Sequence, residues 1–526
     1  MPTKNEVEAC LQEKPYLRDF LFKRGFLITS QRESQNGYPF YNSWQHHTVL
    51  HYHVYVHAEQ TFYAVENNGV VCFMIGHAYN PFSMEVDENS ILQRMATSSV
   101  SKRIEILSEL TGIHVIGWIE GERLTIVTDC AGMQTAYYGE INDNIYVCSH
   151  MQLVGDLCDL QQSEYVRKLV AYRFYRYYGA FLPGELSSYE ELKRIVPNVL
   201  VSYEKGFSVE RFYPVRQLKK RETEEEYQEG ISQIASILKR NMELIAKKWE
   251  KPAISMTGGM DSKTTLAAAN GRYEQYQYFS YVSIPGEKID ADAAHMIAEA
   301  IGVPHRIDII PEANETIQDQ REIAMLLEHN FGNIGKINAN DVRKRAFYAR
   351  EQNRGFDIEV KSWVSEIGRA NYYKKFGFKK MPKQLTPRQM TTMYKLFAHD
   401  RRLVKQTDRA FEDYIKKYNV DAAYGYDASD LFLWEIRYGS WGGQVITCEH
   451  KFSYDITIPY NNRLLMDMFL SMPLEKRISD RVHYDLIRYL NPDIDKTGIT
   501  ITNYNETTTR MYKEKFYFLI HTHLPF

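Results

Sequence analysis

The sequence predicts an α/β protein in which a β-rich layered part is followed by a doubly wound parallel sheet. Three observations support this prediction. From about residue 26 to residue 155, short apolar runs alternate with Gly, Asn and Asp turns. Beyond residue 222, strand-like and helix-like stretches alternate, which is typical of a parallel sheet with crossover helices. A glycine-rich strand–loop–helix stretch at 253–269 opens this second part.

Length and composition limit the class of protein. At 526 residues the chain is long enough for two to four domains of ~150 residues each. Its 44% apolar and 25% charged residues are typical of a globular protein, and a net charge of −3 predicts neither nucleic-acid nor membrane-surface binding. The first ten residues are polar, and no apolar run reaches ~18 residues. Six scattered cysteines without C-x-x-C spacing argue against a zinc site and a disulfide framework. We expect a cytoplasmic protein.

Three segments are predicted along the chain. Residues 1–24 form a short helical leader, 25–215 the β-rich part with a linker hairpin, and 222–526 the part with the parallel sheet. The charged run 219–226 marks the boundary between the last two and the start of a helix. The clearest strands of the first part are Val70–Ile75, Ile113–Trp118, Leu124–Val127 and Ile145–Cys148.

The second part begins with a strand that ends near Ser255 and a helix that runs through Ala269. A second strand, Gln277–Val282, precedes a helix over Asp290–Ile301, and Ile358–Val360 is a later strand. In open parallel sheets, ligands bind beyond the carboxyl ends of the strands. The glycine loop after the first strand lies at such an end.

The loop Thr257-Gly258-Gly259-Met260-Asp261-Ser262 has the residue types of a phosphate site. Glycines let backbone amides converge on an anion, and the following helix directs its positive end toward the same place. Asp261 can hold a metal ion, while the hydroxyls of Thr257 and Ser262 can donate to phosphate oxygens. The spacing differs from G-x-x-x-x-G-K-[ST]. Taken alone, the six residues also fit an ordinary turn with chance glycines.

This loop is similar to the S-G-G-x-D-S loop of enzymes that cleave ATP between the α and β phosphates. Over about residues 60–500 the chain resembles the asparagine synthetase / β-lactam synthetase family. Weaker matches follow in the family's order. They are Asp129, Gly132, Tyr137 and Tyr138; the hairpin from Phe181-Leu182-Pro183-Gly184 to Arg211-Phe212-Tyr213; the helix 290–294 with 301–305; and Ile458–Leu465.

The resemblance implies a fold and a reaction. The fold is an Ntn-hydrolase-like αββα sandwich (a degenerate class II glutaminase-like domain) followed by a PP-loop ATP-pyrophosphatase domain. The reaction is ATP-dependent and AMP-forming: a substrate carboxylate is adenylated with Mg²⁺ and then joined to an amine as an amide. The implied partners are small-molecule or peptide carboxylate and amine substrates, with a homodimer or a separate partner protein left open.

The resemblance also implies site residues. Those for the nucleotide are Ser255, Met256, Thr257, Gly258, Gly259, Asp261, Ser262, Val282, Ser283, Glu366, Gly368 and Arg369. Residues 364–370 match the family's later S-G-x-G-x-D loop, except that Ala370 stands where the family has Asp. Glu366 is the nearest carboxylate, so Asp261 and Glu366 are the expected metal ligands. The alternative is that Glu366 and Arg369 pair with each other.

Two residues are assigned to catalysis by the same resemblance. Lys496 matches the lysine of the family's C-terminal K-x-G motif, which lies over the phosphates and the acyl-adenylate. Glu435 lies on an aromatic-rich helix that lines the acyl pocket in related proteins, where it could deprotonate the amine. Because Glu435 and Arg437 are two residues apart, they do not share a helix face, and at least one of them is expected to be structural.

Two departures from the family narrow the function. Glutamine-using members expose a cysteine directly after the initiator Met, whereas this chain has Pro2, and its first cysteine, Cys10, lies in the predicted leader helix. We therefore expect a scaffold without glutaminase activity. Ile367 replaces the tyrosine of β-lactam synthetase, so ring formation of that type is not expected.

Three functions stay open from the sequence. The first is an amide ligase or cyclase that uses a larger amine. The second is ammonia-dependent amidation of a small acid or a sugar uronate. The third is a non-catalytic scaffold derived from the enzyme fold, which Ala370 favours and the intact glycine loop disfavours.

Overall fold

The computed structural model describes residues 1–172, 175, 180–312, 317–394, 400–418, 424–501 and 508–523. It begins with helix α1 (Lys4–Glu13), followed by a 3-10 turn over Pro15–Phe20. Thr3 and Glu6 cap α1 reciprocally, which satisfies two of the amides that a helix start leaves unpaired. Val7 and Leu11 are fully buried, so the predicted leader helix is present and packed.

Two antiparallel six-stranded sheets follow the leader. Their orders are β10-β8-β9-β1-β3-β2 and β12-β11-β7-β6-β5-β4. The strands are β1 (Phe26–Thr29), β2 (Trp44–Val49), β3 (Tyr52–His57), β4 (Phe62–Asn67), β5 (Val70–Tyr79), β6 (Thr111–Glu120), β7 (Arg123–Thr128), β8 (Tyr137–Ile141), β9 (Asn144–Cys148), β10 (Lys193–Arg194), β11 (Val199–Tyr203) and β12 (Phe207–Arg211). The four strands predicted from apolar runs all lie within these elements.

The first sheet is buried on both faces. Successive side chains of a strand point to opposite faces, and β1 shows both environments. Phe26 and Ile28 belong to the core shared with the second sheet, whereas Leu27 packs with α1 in a separate cluster. The helices of this part are α2 (Glu88–Ala96), α3 (Val100–Glu109), α4 (Met151–Leu157) and α5 (Glu164–Ala171). Since α2 packs on β4 and β5, helices cover the outer faces of two stacked sheets.

The third sheet is five-stranded and parallel, in the order β15-β14-β13-β16-β17. Its strands are β13 (Pro252–Ser255), β14 (Gln277–Val282), β15 (Arg306–Ile309), β16 (Ile358–Val360) and β17 (Asp455–Thr457). Helix α6 (Glu224–Lys248) precedes the sheet, and the helices between its strands include α7 (Met260–Ala268), α8 (Pro285–Ile301), α9 (Gln320–Phe331) and α10 (Ala339–Ala349). The chain is thus a mixed α/β protein with a parallel sheet in its second part, as predicted.

The remaining helices surround the carboxyl edge of this sheet. They are α11 (Asn371–Phe376), α12 (Pro387–Met393), α13 (Arg401–Lys417), α14 (Ala428–Leu431), α15 (Arg463–Ser471), α16 (Leu474–Ile478), α17 (Arg481–Leu490), α18 (Pro492–Lys496) and α19 (Thr508–His523). Two π-helical stretches, Phe432–Gly442 and Val445–Glu449, continue α14. In the described residues no helix is both long enough and apolar enough to cross a bilayer.

Candidate functional site

The strand order reverses its direction at one point of the parallel sheet, between β13 and β16. From β13 the chain first extends the sheet through β14 and β15, and it later returns to the other side of β13 as β16 and β17. The point between β13 and β16 is a topological switch point, where open α/β sheets bind their ligands. The loops that follow these two strands meet there, because Ser365 and Arg369 both donate to the carboxylate of Asp261.

The glycine loop after β13 forms an ordered turn. The amide of Thr257 donates to Ser262 Oγ at 2.9 Å, and the amide of Gly259 donates to Thr257 Oγ1 at 3.2 Å. A hydroxyl that accepts still has its own proton to donate. The first hydrogen bond of α7 runs from Lys263 N to Gly259 O at 3.0 Å. The amides of residues 260–262 therefore precede the helical ladder and open toward the loop.

Gly258 is the most crowded position of the loop. Its amide donates to the carboxyl group of Asp290, whose pKa is raised by burial against the effect of this bond. A Cβ on Gly258 would lie 2.3 Å from Ile501 Cδ1 and 2.9 Å from Ala293 Cβ, so glycine is required. Lys263 Nζ holds the same covering segment through Ile499 O at 2.7 Å. Residues 499–501 thus lie over the loop.

Asp261 is the centre of a charged cluster. Arg369 Nη1 lies 2.5 Å from Asp261 Oδ2, and Ser365 donates to Oδ1. His483 Nε2 lies 3.5 Å from Oδ1, and burial lowers the pKa of His483 to about 4. His483 is therefore neutral near pH 7, and the positive charge against Asp261 comes from Arg369.

Arg369 also binds a second carboxylate. Its Nε and Nη2 lie 2.8 and 3.0 Å from the two oxygens of Asp480, and Lys374 pairs with the same carboxylate. Burial alone would lower the pKa of Arg369, but the charges of Asp261 and Asp480 more than offset it, so the pKa lies above its ordinary value. Arg369 is thus a fixed cation between two carboxylates.

Glu366 is the third carboxylate of the site. Tyr438 donates to Glu366 Oε2 at 2.6 Å. Burial and the nearby charge of Asp261 raise the pKa of Glu366. Two carboxylates close enough to oppose each other's ionisation favour a cation between them. The alternative pairing of Glu366 with Arg369 is absent from the hydrogen bonds of the described residues, in which Arg369 contacts Asp261 and Asp480 instead.

Aromatic rings form a wall beside this acidic pair. Trp363 stacks on Trp441 with ring centroids 5.4 Å apart and an interplanar angle of 21°. Arg437 lies 5.2 Å from the centroid of the Trp441 ring, and Tyr438 of the same helix contacts Glu366. Flat apolar surface beside charged groups is typical of small-molecule sites.

The loop after β16 has an unusual backbone. Val364 has φ +77° and Ala370 has φ +49°. A left-handed conformation at a β-branched residue costs ~1–3 kcal/mol, and such residues concentrate at ligand sites. Gly368 lies between them and passes Phe469 so closely that a Cβ would be 2.8 Å from Phe469 Cβ and 3.0 Å from its ring. The strain and the close approach both serve to direct Glu366 and Arg369 toward Asp261.

The other predicted nucleotide residues lie along the carboxyl edge of the sheet. Ser255 ends β13 and Val282 ends β14. The buried Met256 donates its amide to Phe279 O at 2.8 Å. The amide and hydroxyl of Ser283 both donate to Glu287 Oε2 at 2.7 Å. The structure brings these residues to one edge, and their roles in nucleotide binding stay predictions.

Lys496 lies just before the segment 499–501 that covers the glycine loop, but its side chain faces solvent. It is 74% exposed and pairs with Asp493 at 2.8 Å, which raises its pKa. The segment that follows it, 499–501, is the one that covers Gly258. The predicted role of Lys496 over the phosphates therefore needs a rearrangement of this segment, and it stays a prediction.

Glu435 is fully buried in a different network. Arg211 binds both of its oxygens, at 2.6 and 2.8 Å, and Asn198 Nδ2 donates at 3.1 Å. Tyr414 also donates to Glu435. These partners come from the linker hairpin and α13, so the geometry favours a structural role that joins the hairpin to the π-helical segment. The catalytic role of Glu435 is untested.

Three site residues were not identified from the sequence: Ser365, Asp480 and His483. Asp480 and His483 lie more than 200 residues after Asp261 and reach it because α17 packs against α7. In the sequence, polar residues at the start of a helix are usually exposed, so nothing predicted that Asp480 and His483 would reach the cluster around Asp261. Ser365 stood inside the matched loop, but a lone serine there carries no metal or phosphate signature.

Comparisons with known proteins do not identify a family, since no family model and no curated protein matches the chain. Among solved structures, it is similar to a glutamine PRPP amidotransferase from B. subtilis complexed with ADP and GMP (TM-score 0.23, 11% identity, 57% of this chain and 63% of that chain). A glutamine-dependent NAD+ synthetase from Acinetobacter baumannii complexed with ADP has TM-score 0.21 and 13% identity over 44% of this chain and 51% of that one. An allosteric regulatory enzyme of purine biosynthesis has TM-score 0.23 and 11% identity over 55% and 60%.

These similarities are weak. The chain spans between 51% and 63% of the length of these three structures. Because TM-scores near 0.2 do not establish a shared fold, we base the function on the geometry of this chain alone.

Proposed function

We propose that the protein is an ATP-dependent, AMP-forming amide ligase or cyclase that adenylates a substrate carboxylate and joins it to an amine. The observation that carries the proposal is the meeting of two loops at the β13/β16 switch point, where Asp261, Glu366 and Arg369 converge. In this proposal the first part of the chain corresponds to an Ntn-hydrolase-like scaffold and the parallel sheet to a PP-loop domain.

The glycine loop is suited to phosphate in three respects. The amides of residues 260–262 open the helix, and the helix dipole favours negative charge at this end. The hydroxyls of Thr257 and Ser262 accept amide protons and keep their own protons for an outside acceptor. Entry of a triphosphate alongside Gly258 requires Ile501 to move, since that side chain now covers it.

The carboxylates fit one magnesium ion bound together with phosphate. Mg²⁺ keeps several waters and takes one or two protein carboxylates, the remaining ligands being phosphate oxygens. In this proposal Asp261 and Glu366 supply two carboxylates, and the charge of Asp261 adds to burial in raising the pKa of Glu366. When bound, the ion would neutralise phosphate charge. In the described residues no group of three or more His, Cys, Asp or Glu is placed to hold a metal ion together, and Ala370 supplies no ligand.

Ala370 has no carboxylate that could bind a second metal ion. In this proposal Arg369 supplies the positive charge that such an ion would bring. The proposed first step forms a bond between a substrate carboxylate oxygen and the α-phosphorus, and breaks the bond from that phosphorus to the oxygen bridging to the β-phosphate, so pyrophosphate leaves. Held by Asp480, Arg369 keeps a fixed orientation toward the charge that develops on the phosphates. Tyr438 fixes Glu366, and the Trp363–Trp441 stack excludes water beside it.

The second step joins the acyl group to an amine. The amine nitrogen attacks the acyl carbon, the bond from that carbon to the AMP oxygen breaks, and a proton leaves the nitrogen. The N-terminal part supplies no ammonia in this proposal. Cys10 lies in α1, and burial together with the charge of Glu322 raises the pKa of its thiol, which disfavours a nucleophilic thiolate. The amine therefore comes from the substrate or from free ammonia.

A non-catalytic protein is the second candidate, and two contacts favour it. Arg369 occupies one oxygen of Asp261, and Ile501 covers Gly258. Both contacts would also be found in an enzyme whose loop opens when nucleotide binds. The distinction rests on whether the protein exchanges pyrophosphate into ATP.

The test is ATP–pyrophosphate exchange, with labelled pyrophosphate and the small-molecule fraction of a cell extract as the source of carboxylate. We expect exchange in the wild type and a loss of at least 100-fold in Asp261→Asn, because the metal carboxylate and the partner of Arg369 are both lost. Asp159→Asn is the matched control, since Asp159 is 80% exposed and pairs only with Lys4 among its ion pairs in the described residues. Exchange that survives in Asp261→Asn would refute the assignment.

A further inference from the structure

A large cavity lies outside the switch point. Its volume is about 1020 Å³, and its walls come from residues 220–222, 379–385, 424–428, 472–475 and 477, together with Tyr373 and Ile415. None of the glycine-loop residues and none of Asp261, Glu366 and Arg369 lines it. Pockets of this size hold a small organic ligand or a short peptide segment.

The rim of this cavity is positively charged. Six cationic residues line it, against the three acids Glu222, Asp427 and Glu475; the cations are Lys220, Arg221, Lys379, Lys380, Lys383 and Arg477. Within the described part of the chain, the hydrogen bonds and ion pairs include none from Lys379, Lys380 or Lys383. These three exposed lysines lie on the connection between α11 and α12, so they stand together on one wall.

Several other charged side chains of the cavity already have hydrogen-bond or ion-pair partners within the protein. Arg477 donates to Asp430 at 2.7 Å, and Asp427 accepts from Tyr373 at 2.5 Å. Arg221 Nη2 donates to Gln233 at 2.6 Å. Lys220 donates to Leu470 O at 3.0 Å. The cations of the lining that have no hydrogen-bond or ion-pair partner in the described residues are therefore those of the lysine wall.

The floor of the cavity is apolar. Met381, Leu385 and Met472 are buried there, and Tyr426 lies beside them. Inorganic anions gain nothing from such a floor, whereas an organic anion buries its carbon skeleton against it. The lysine wall above the apolar floor thus selects an anion with an apolar body.

The cavity is linked to the switch point by two side chains. Arg477 donates to the carbonyl oxygens of Gly368 and Ile367, at 2.8 and 3.4 Å, in the loop that carries Glu366 and Arg369. Tyr373 on the cavity floor precedes Lys374, which pairs with Asp480. A ligand in the cavity therefore contacts residues one step from the cluster around Asp261.

We propose that this lysine-rimmed cavity is a binding site for an organic anion with an apolar body and two or more negative groups, separate from the nucleotide loop. Lys379, Lys380 and Lys383 bind the anionic groups, and the floor around Met472 binds the apolar body. The proposal does not depend on the reaction proposed above, because the cavity shares no lining residue with the glycine loop.

The test uses 4,4′-dianilino-1,1′-binaphthyl-5,5′-disulfonate, which carries two sulfonates on an apolar ring system, titrated by fluorescence into the full chain. We expect saturable binding that is weakened at least tenfold by Lys379→Gln/Lys380→Gln/Lys383→Gln. The matched control, Lys205→Gln/Lys239→Gln/Lys405→Gln, removes the same charge from exposed lysines elsewhere and should leave the affinity within twofold. Equal weakening by both triple variants, or no weakening by the rim triple, would overturn the proposal.

Competition identifies the source of the anionic groups. Displacement of the dye by tripolyphosphate indicates a phosphate-bearing ligand, and displacement by citrate indicates a polycarboxylate. If neither anion displaces the dye but the rim triple variant still weakens its binding, the site requires the apolar body as well as the negative groups. Dye binding should persist in Asp261→Asn, so failure of the cavity proposal and failure of the ligase proposal are separable.

Discussion

Arg369 is the central cation of the candidate site. Its guanidinium connects Asp261 and Asp480, and it stands one position before Ala370, where the related loop has a metal carboxylate. The guanidinium of Arg369 thus lies where a metal ion would be expected if position 370 carried a carboxylate. The glycine loop and Glu366 could be predicted from sequence patterns. The partner of Arg369, Asp480, could not, because it lies 111 residues further along the chain.

Removal of this guanidinium should leave Asp261 and Asp480 without the counter-charge that they share. We expect Arg369→Gln to lower the free energy of unfolding by about 1–3 kcal/mol without divalent cation, less than for fully buried pairs since both partners are about one fifth exposed. Added Mg²⁺ should restore part of this loss, because the ion then neutralises Asp261 and Glu366. The measurement is urea unfolding of the wild type and of Arg369→Gln, with and without about 10 mM MgCl₂. An equal response of wild type and variant to Mg²⁺ would exclude a metal at these carboxylates.

At the level of elements, the site depends on how loops after different strands are held against each other. The linker hairpin β11–β12 is joined to the π-helical segment Phe432–Gly442 by the buried pair of Arg211 and Glu435. That helix presents Tyr438 to Glu366. The hairpin therefore positions one wall of the site from the other part of the chain. Apolar runs predicted strands such as β5, β6 and β7, but they do not show which buried carboxylate meets which arginine.

Glu435→Gln separates the structural role from the catalytic one. We expect a loss of about 3–5 kcal/mol in the free energy of unfolding, because Arg211 keeps a buried charge without its partner. Glu412→Gln, on an exposed pair with Lys416, should change stability by no more than ~0.5 kcal/mol. If folded Glu435→Gln keeps full stability and full pyrophosphate exchange but loses amide formation, Glu435 is the base and the structural assignment is wrong.

At the scale of the whole molecule, ionisable groups are buried throughout the two parts and between them. Burial lowers the pKa of His77, His114 and His150 to about 3. Burial also raises the pKa of Asp430 to about 6, and burial with the charge of Asp341 raises that of Glu449 to about 7. The histidines and the acids therefore act on stability with opposite signs below neutral pH. Composition predicted the α/β class and the two kinds of sheet, but not the burial of these groups, which depends on packing between distant segments.

His150 provides a test of this buried charge balance. The unfolded chain protonates this histidine below about pH 6.5, whereas the folded chain stays unprotonated down to about pH 3. The stability that it contributes is present above pH 6.5 and is lost as the pH falls from 6.5 toward 3. Over that window the slope is up to ~1.4 kcal/mol per pH unit.

We expect His150→Asn to remove this slope from the free energy of unfolding between pH 6 and 5. Between pH 7.5 and 8.5 the wild type and the variant should have the same slope. Urea unfolding at half-unit pH steps gives the free energy of unfolding of both proteins. The contribution of the buried carboxylates is the same in both, so it cancels in the difference between them. Parallel pH profiles of the two proteins down to pH 5 would show that His150 is protonated in the folded state.

The central claim is that a nucleoside triphosphate binds at the β13/β16 switch point. The most direct measurement is a crystal structure with α,β-methylene-ATP and Mg²⁺ at saturation. We predict phosphate oxygens within ~3.0 Å of the amides of residues 260–262 and of the Thr257 or Ser262 hydroxyl, with Ile501 displaced from Gly258. A nucleotide bound elsewhere, or a loop that stays covered by Ile501 at saturating nucleotide, would contradict the claim.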